Sequence, residues 1–94
     1  MDDTLSGRHI KAARAILGWT RKDLAGRAGV TAETVKVVET DKAQLAALAP
    51  TRTQLAEALE KEGMVFTTGG APGVQLVPLE EGLRTDQLNA SNDD

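Results

Sequence analysis

The sequence contains no cysteine and no tyrosine, and its only aromatic residues are Trp19 and Phe66. The absence of cysteine excludes disulfides and cysteine-ligated metals, and it fits a reducing cytoplasm. A single histidine, His9, cannot by itself form a metal site or a catalytic triad, and its place near a helix start predicts a surface position. No apolar run approaches the roughly 20 residues that span a bilayer. The 94 residues, 40% of them hydrophobic, therefore predict one small domain with an aliphatic core.

The formal net charge of −3 conceals an asymmetry along the chain. Residues 8–42 contain eight Lys or Arg and four Asp or Glu, a charge of +4, which leaves three cations and ten anions, or −7, for the rest. A local field steers a charged partner, whereas net charge mostly governs solubility. The acidic total therefore does not exclude a polyanionic partner for the first half of the chain.

Three short helices are predicted in the first 40 residues, each opened by a hydroxyl N-cap. The caps are Ser6, Thr20 and Thr31, and Gly18 and Gly29 end the first two helices. The apolar residues at helical spacing on their inner faces are Ile10, Ala13, Ile16, Leu17, Leu24, Ala25, Ala28, Val35 and Val38.

The remainder of the chain predicts a further helix and then a change of period. After a short helical segment around Leu45 to Leu48, Pro50 is expected to break the chain, and Thr51 or Thr53 is expected to cap a helix that ends at Gly63. The stretches "MVFT" and "VQLV" then flank the turn-forming "TGGAPG", which predicts a β-hairpin. We therefore divide the chain into an N-terminal arm (1–5), a helical domain (6–62), a hairpin (63–78) and an acidic tail (79–94), which we expect to be disordered.

The stretch "DLAGRAGVTAETVKVVE" (23–39) predicts two helices joined by a tight turn. A helix pair that reads the major groove needs a small residue at the helix crossing, a turn residue that tolerates positive φ, and apolar anchors on the inner face. Ala25, Gly29, Val35 and Val38 supply these features at the required spacing. The pattern is typical of a helix-turn-helix, although other helical hairpins share the glycine turn.

The longer stretch "AARAILGWTRKDLAGRAGVTAETVKVVET" resembles the Cro/repressor (Xre-type) helix-turn-helix family. The matching positions are Ala13, Arg14, Leu17, Gly18, Trp19, Thr20, Leu24, Ala25, Ala28, Gly29, Val30, Thr31, Val35, Val38 and Glu39. "GMVFTTGGAPGVQLV" further resembles the continuation found in some small members. The resemblance implies a mainly α, lambda-repressor-like domain of four to five helices followed by a C-terminal β-hairpin. It also implies a cytoplasmic transcriptional regulator that binds double-stranded DNA, without a cofactor or a metal, and associates with the nucleoid when bound.

The resemblance also implies a role for each position of the helix pair. The DNA-binding residues would be Thr20, Arg21, Thr31, Ala32, Glu33, Lys36, Val37 and Lys42. Among the base-reading positions, Ala32 and Val37 can meet only thymine methyls, and Glu33 can accept from a cytosine amine. Phosphate contacts and DNA shape would therefore supply more of the affinity than base contacts do.

The hairpin predicts a homodimer, because a sheet of only two strands is marginally stable and exposes an unpaired edge. Val65, Phe66, Val74 and Leu76 would then pack across a twofold axis and set the two recognition helices on a palindromic operator. The alternative is that the hairpin packs only on the helices of its own chain.

A second class of function remains open from the sequence. The protein could be an interaction module with a helix-turn-helix fold, such as an antitoxin or a regulator's partner, because its base-reading residues are poor and its second half is acidic. Trp19 is expected in the core rather than stacked on bases. The basic residues Arg8, Lys11 and Arg14 suit either a solvated helix face or a phosphate-facing one. The sequence offers no pairing of a nucleophilic side chain with a general base, so we expect that the protein is not an enzyme.

Overall fold

The computed structural model describes residues 5–77, and our expectations for the rest of the arm and for the acidic tail lie outside the described residues. Within that range the chain is mainly helical and ends in a small antiparallel hairpin, as predicted. The elements are α1 (Gly7–Leu17), α2 (Arg21–Ala28), α3 (Ala32–Glu39), a 3₁₀ turn (Ala46–Leu48), α4 (Ala49–Glu60), β1 (Met64–Thr67) and β2 (Gly73–Leu76). No helix among the described residues is long and apolar enough to cross a membrane.

The first three helices begin where the sequence predicts, and the first two also end there. At the start of α2, Asp23 N–H donates to Thr20 Oγ1 at 3.0 Å and Thr20 N–H donates to Asp23 Oδ2 at 2.9 Å, which satisfies two backbone donors that lack helical partners. The Thr20 hydrogen bonds stabilise the carboxylate and hold the pKa of Asp23 below its ordinary value. Gly18 and Gly29 adopt the left-handed conformation, with φ of 73° and 75°, and end α1 and α2.

The predicted start of the fourth helix is wrong. The helix begins at Ala49, with Leu48 in the cap position, so Pro50 lies in its first turn and neither Thr51 nor Thr53 caps it. Proline is tolerated there because the first N–H groups of a helix have no intrahelical acceptor and its fixed φ suits the helix.

The core lies where the three N-terminal helices meet α4. The buried apolar residues are Ile10, Ala13, Leu24, Ala25, Val35, Val38, Leu55, Ala56, Ala58, Leu59 and Met64. Ile16 was predicted on the inner face of α1 but is 48% exposed. At 100° per residue it lies about 120° around the helix from Ile10, outside the narrower stripe that Ile10, Ala13 and Leu17 form.

The hairpin packs on its own chain, against both α1 and α4. Met64 pairs with Leu76 and Phe66 with Val74, so these four side chains share one face of the hairpin. Met64 is buried, and Phe66 and Val74 pack against the helical core. The inner face of the hairpin therefore completes the core of its own domain.

His9 connects α1 to the hairpin, and its predicted surface position is wrong. The ring is buried, and its Nε2 donates to the carbonyl oxygen of Thr67 at 2.6 Å. Its Nδ1 accepts from Ser6 N–H at 3.1 Å, which assigns the neutral tautomer protonated on Nε2. The ring also meets Phe66 edge to face, with 6.1 Å between centroids. Nε2 thus joins two segments 58 residues apart in the chain, while Nδ1 holds the ring to the start of its own helix.

Candidate nucleic-acid interface

A tight turn connects α2 and α3. The N–H groups of Gly29 and Val30 both donate to the carbonyl of Ala25, at 2.9 and 3.0 Å. Thr31 then caps α3 by accepting from Thr34 N–H at 3.1 Å. These bonds fix the angle at which α3 leaves α2, and the two helices pack directly against each other.

The outer face of α3 carries the candidate base-reading residues. Ala32, Glu33, Lys36 and Val37 are all exposed, as is the capping Thr31. Their spacing of one and four residues places them on one side of the helix, opposite the buried Val35 and Val38. Val37 is 43% exposed, which leaves an apolar side chain on a surface that nothing in the described chain covers.

A buried carboxylate at the end of α3 binds two arginines. The side chain of Glu39 is fully buried, and its carboxylate accepts from Arg14 Nε at 2.7 Å and from Arg14 Nη2 at 3.1 Å. Arg21 Nε donates at 3.1 Å to Oε1, the oxygen that also accepts from Arg14 Nη2. Donation to the Glu39 carboxylate stabilises the charged guanidinium and raises the pKa of Arg14 above its ordinary value. One carboxylate thus joins α1, the first residue of α2 and the last residue of α3.

This arrangement determines which of the candidate cations can meet a ligand. Arg14 has only 16% of its side chain exposed and also donates to the carbonyl of Trp19, so it is part of the fold rather than of a phosphate-facing surface. Arg21 keeps about a third of its side chain exposed, and only its Nε bonds to another group within residues 5–77. Because two guanidinium groups share one carboxylate, the cluster retains one positive charge.

Sequence reasoning matched Glu39 to a family pattern but did not find this role. The available signal is an acidic residue at the end of an apolar helix inside a basic stretch. That signal gives no indication of which arginines approach the carboxylate, because the two partners lie 25 and 18 residues away.

The loop that follows α3 presents Lys42 and is itself held by a second buried ion pair. Arg52 Nη1 donates to Asp41 Oδ2 at 3.0 Å, and both side chains are at least 95% buried. The same oxygen accepts from Leu45 N–H at 2.8 Å. Lys42 projects from this loop and is exposed, as are Thr20 and the neighbouring Lys22 at the start of α2.

Trp19 is partly buried and packs against the core, as its predicted role requires. The guanidinium of Arg27 lies over the indole ring, 4.8 Å from its centroid, and Arg27 also pairs with Glu62 at 2.8 Å. These contacts tie α2 to the segment that follows α4 and place a cation over the indole ring.

The four candidate dimerisation residues divide into two pairs. Phe66 and Val74 pack against the helices of their own chain. Val65 and Leu76 are 43% and 38% exposed. They lie on opposite faces of the hairpin, because Leu76 pairs with Met64 while Val65 pairs with Gln75. A partner would therefore have to cover the end of the hairpin rather than one flat face.

Within residues 5–77, no group of three or more metal-binding side chains lies close enough together to hold an ion. A scan against protein-family models and a search of curated proteins found no match to this chain. The function is therefore inferred from the residues and their geometry.

Proposed function

We propose that the protein is a sequence-specific DNA-binding transcriptional regulator of the Cro/repressor (Xre-type) helix-turn-helix class, acting as a homodimer on a palindromic operator. The observation that carries the proposal is the outer face of α3. Its four candidate base-reading residues are exposed, it follows a tight glycine turn, and exposed cations precede and follow it in the chain.

In this proposal α3 enters the major groove, whose width of about 12 Å admits one helix. Arg21 and Lys22 at the start of α2 and Lys42 after α3 bind phosphates, together with Lys36 on the reading helix itself. The capping carboxylate of Asp23 lies at the same helix start and opposes an anion there, so these cations must outweigh it.

Base reading in this proposal is limited to a few contacts. Ala32 and Val37 provide methyl groups for thymine, and Glu33 accepts from a cytosine amine. A bidentate arginine or glutamine contact is absent from these positions. We therefore expect a modest preference for the operator over other DNA, with much of the affinity coming from phosphates and DNA shape.

The first test is genome-wide DNA occupancy of the tagged protein, compared with an Arg21→Ala, Lys36→Ala double variant. We expect sharp peaks over a shared palindrome that the double variant loses. Lys11→Ala, Lys61→Ala is the matched control, because both lysines are exposed, lie outside the helix pair, and change the net charge equally. Since Arg21 also contacts Glu39, thermal unfolding must confirm that the double variant is folded. Absence of peaks with folded, expressed protein would contradict the proposal.

Salt dependence then measures how many phosphates are neutralised. Four cations per protomer predict a log–log slope of binding against salt of about −7 for a dimer, at about −0.9 per phosphate. The double variant removes two cations per protomer, so we expect a shallower slope of about −3.6. The Lys11, Lys61 control should keep the original slope.

The dimer part of the proposal rests on the end of the hairpin. Val65, Leu76 and the adjacent Val77 are 38 to 45% exposed, and within residues 5–77 each strand has a neighbouring strand on one side only. A second copy that covers these apolar groups is self-complementary about a twofold axis. We expect Val65→Lys, Leu76→Lys to sediment as a monomer.

The matched control for the dimer is Ile16→Lys, Leu45→Lys, because these two residues are apolar and still more exposed, at 48 and 55%, but lie away from the hairpin. This control should sediment like the wild type. If the hairpin variant stays dimeric, the proposed hairpin interface is wrong, but the DNA-binding part of the proposal is not affected.

The second candidate function is a protein-interaction module that uses the same helix pair to bind another protein. The observation that favours it is the exposed Val37 beside Glu33, since an apolar and an acidic side chain suit a protein surface better than a phosphate backbone. A protein partner would show a weaker dependence on salt than the slope given above. Co-purification of a partner that the Val37→Lys variant loses, with no DNA peaks, would favour this function.

A further inference from the structure

Arg21 differs from the other cations of the proposed phosphate-binding surface because the fold holds its side chain. Its Nε donates to Glu39 Oε1 at 3.1 Å, and about a third of the side chain stays exposed. The side chains of Lys22, Lys36 and Lys42 are exposed and form no ion pair within residues 5–77. Among these four cations, Arg21 is therefore the one whose side-chain position is set before a ligand arrives.

Glu39 can hold Arg21 without cancelling its positive charge. The Glu39 side chain is fully buried, and its carboxylate already accepts two hydrogen bonds from Arg14, at 2.7 and 3.1 Å. Arg14 therefore compensates the buried negative charge, and the charge of Arg21 remains in excess at the cluster. Charge-assisted hydrogen bonds to a buried carboxylate are stronger than the same bonds in water. The Nε of Arg21 is thus held firmly while its charge stays available.

The contact through Nε leaves the other donors of Arg21 for a ligand. A guanidinium carries five N–H donors in one plane, one on Nε and two on each Nη. Within residues 5–77 only the Nε donor of Arg21 is used. The two Nη groups form the end of the fork that binds two oxygens of one phosphate in parallel. A guanidinium held in this way can bridge a buried carboxylate and a phosphate.

We propose that Glu39 is a positioning residue for DNA binding, which holds Arg21 by its Nε so that both Nη groups meet one phosphate of the DNA backbone. The inference rests on the proposed function. Glu39 itself does not touch DNA, because its side chain is fully buried. Each free, long side chain that is immobilised at an interface weakens binding by about two- to tenfold. Glu39 avoids this loss at Arg21 because it orders the side chain before DNA binds.

The test is a thermodynamic cycle between Glu39→Gln and Arg21→Ala. Binding to a fluorescein-labelled, mixed-sequence duplex of about 20 base pairs is measured by fluorescence anisotropy, and no operator is needed because phosphate contacts do not depend on sequence. We expect Glu39→Gln to weaken binding about fivefold in the wild type and less than about twofold in Arg21→Ala. A purely structural role of Glu39 would weaken binding by the same factor in both backgrounds.

The effect of charge alone has the opposite sign, which a control variant shows. Glu39→Gln makes the protein more positive by one charge, and this change by itself favours DNA. Glu62→Gln makes the same change at an ion pair with Arg27, outside the proposed DNA contacts. We expect Glu62→Gln to bind at least as tightly as the wild type. Circular dichroism at the assay temperature must show that each variant is folded.

A second measurement needs neither DNA nor a folded Glu39 variant. The Nε–H signal of Arg21 is recorded by NMR in the ¹⁵N-labelled wild type and assigned by its loss in Arg21→Lys. Because it donates to a buried carboxylate, we expect it to exchange with water at least about tenfold more slowly than the Nε–H of Arg8. Arg8 is exposed and forms no ion pair within the described residues.

Two results would overturn the inference: equal effects of Glu39→Gln in the two backgrounds, and an Arg21 Nε–H that exchanges as fast as that of Arg8. If the wild type binds the duplex and either result is found, this inference alone fails. If the wild type does not bind the duplex, the proposed DNA-binding function fails, and the positioning role fails with it.

Discussion

Gly7 at the start of α1 provides the sharpest test of how the helices pack. A Cβ at this position would lie 2.1 Å from the carbonyl oxygen of Val38 and 2.9 Å from that of Glu39. Both obstacles are backbone atoms at the end of α3, so they cannot rotate away as a side chain can. Gly7→Ala therefore requires α1 to move away from α3.

Two effects of opposite sign compete in Gly7→Ala. Helix propensity favours alanine over glycine by about 0.5 to 1 kcal/mol, and less at a helix end. Overpacking costs about 1 to 3 kcal/mol, and an immovable backbone obstacle places this site toward the upper end of that range. We expect a net loss of about 2 kcal/mol in the free energy of unfolding, which for a domain of this size lowers the Tm by about 8 to 16 °C.

Gly26 in α2 is the matched control, because a Cβ there would meet no atom of the described residues within 4 Å. Gly26→Ala is therefore expected to stabilise the protein by about 0.5 to 1 kcal/mol through propensity alone. Urea unfolding followed by Trp19 fluorescence and far-ultraviolet circular dichroism gives both values. If Gly7→Ala is as stable as the wild type, the close approach of α1 to α3 is wrong.

Three further predictions concern buried or capping polar groups. Glu39→Gln removes the charge that two arginines share. We expect it to lower the free energy of unfolding by about 2 kcal/mol, less than for a fully buried pair because the arginines are partly exposed. A free energy from urea unfolding within about 0.5 kcal/mol of the wild type, which is experimental error, would contradict this prediction. His9→Ala removes the hydrogen bond to Thr67, and we expect it to lower the free energy of unfolding by about 2 kcal/mol. Amide hydrogen exchange should become faster in the hairpin more than in the helices. An equal increase across the domain would refute the role of His9 in holding the hairpin. Because the pKa of Asp23 is lowered in the folded state, its negative charge stabilises the fold at pH values above its ordinary pKa of 3.8. This contribution disappears as the pH falls through the lower pKa of the folded state. The Tm difference between wild type and Asp23→Asn should therefore shrink on acidification, and a difference independent of pH would exclude this linkage.

Local signals predicted the first three helices correctly because the information for each boundary lies within a few residues. A hydroxyl cap and a left-handed glycine act on their own helix ends, so Thr20, Gly29 and Thr31 could be assigned from the sequence alone. Pro50 shows the limit of this approach. Proline breaks a helix when it lies in the helix interior but is tolerated in the first turn. The sequence does not reveal which of the two positions Pro50 occupies.

The long-range contacts could not be predicted from the sequence. His9 and Glu39 are polar residues on helices, and pattern alone places such residues on the surface. Each is buried because a partner from elsewhere in the chain satisfies it: the Thr67 carbonyl for His9, and two guanidinium groups for Glu39. The stretch "TGGAPG" located the hairpin but not its register, because the second strand is Gly73–Leu76 and begins one residue before the predicted "VQLV". The division of its apolar residues between inner and outer surfaces depends on how the hairpin packs against α1 and α4.

The buried ion pairs also decide what the charge of the basic stretch means at the surface. Arg14 is withdrawn into the fold, which removes one cation from the +4 counted along residues 8–42. Two anions of the same stretch, Glu39 and Asp41, are withdrawn as well, and Asp41 is neutralised by Arg52 from outside the stretch. The exposed charges that remain are Arg8, Lys11, Lys22, Arg27, Lys36 and Lys42 against Asp23 and Glu33. The two cations left out, Arg14 and Arg21, are matched by the two anions left out, Glu39 and Asp41. The exposed charge of this half therefore stays positive in a chain whose total is negative, which is the condition that phosphate binding requires.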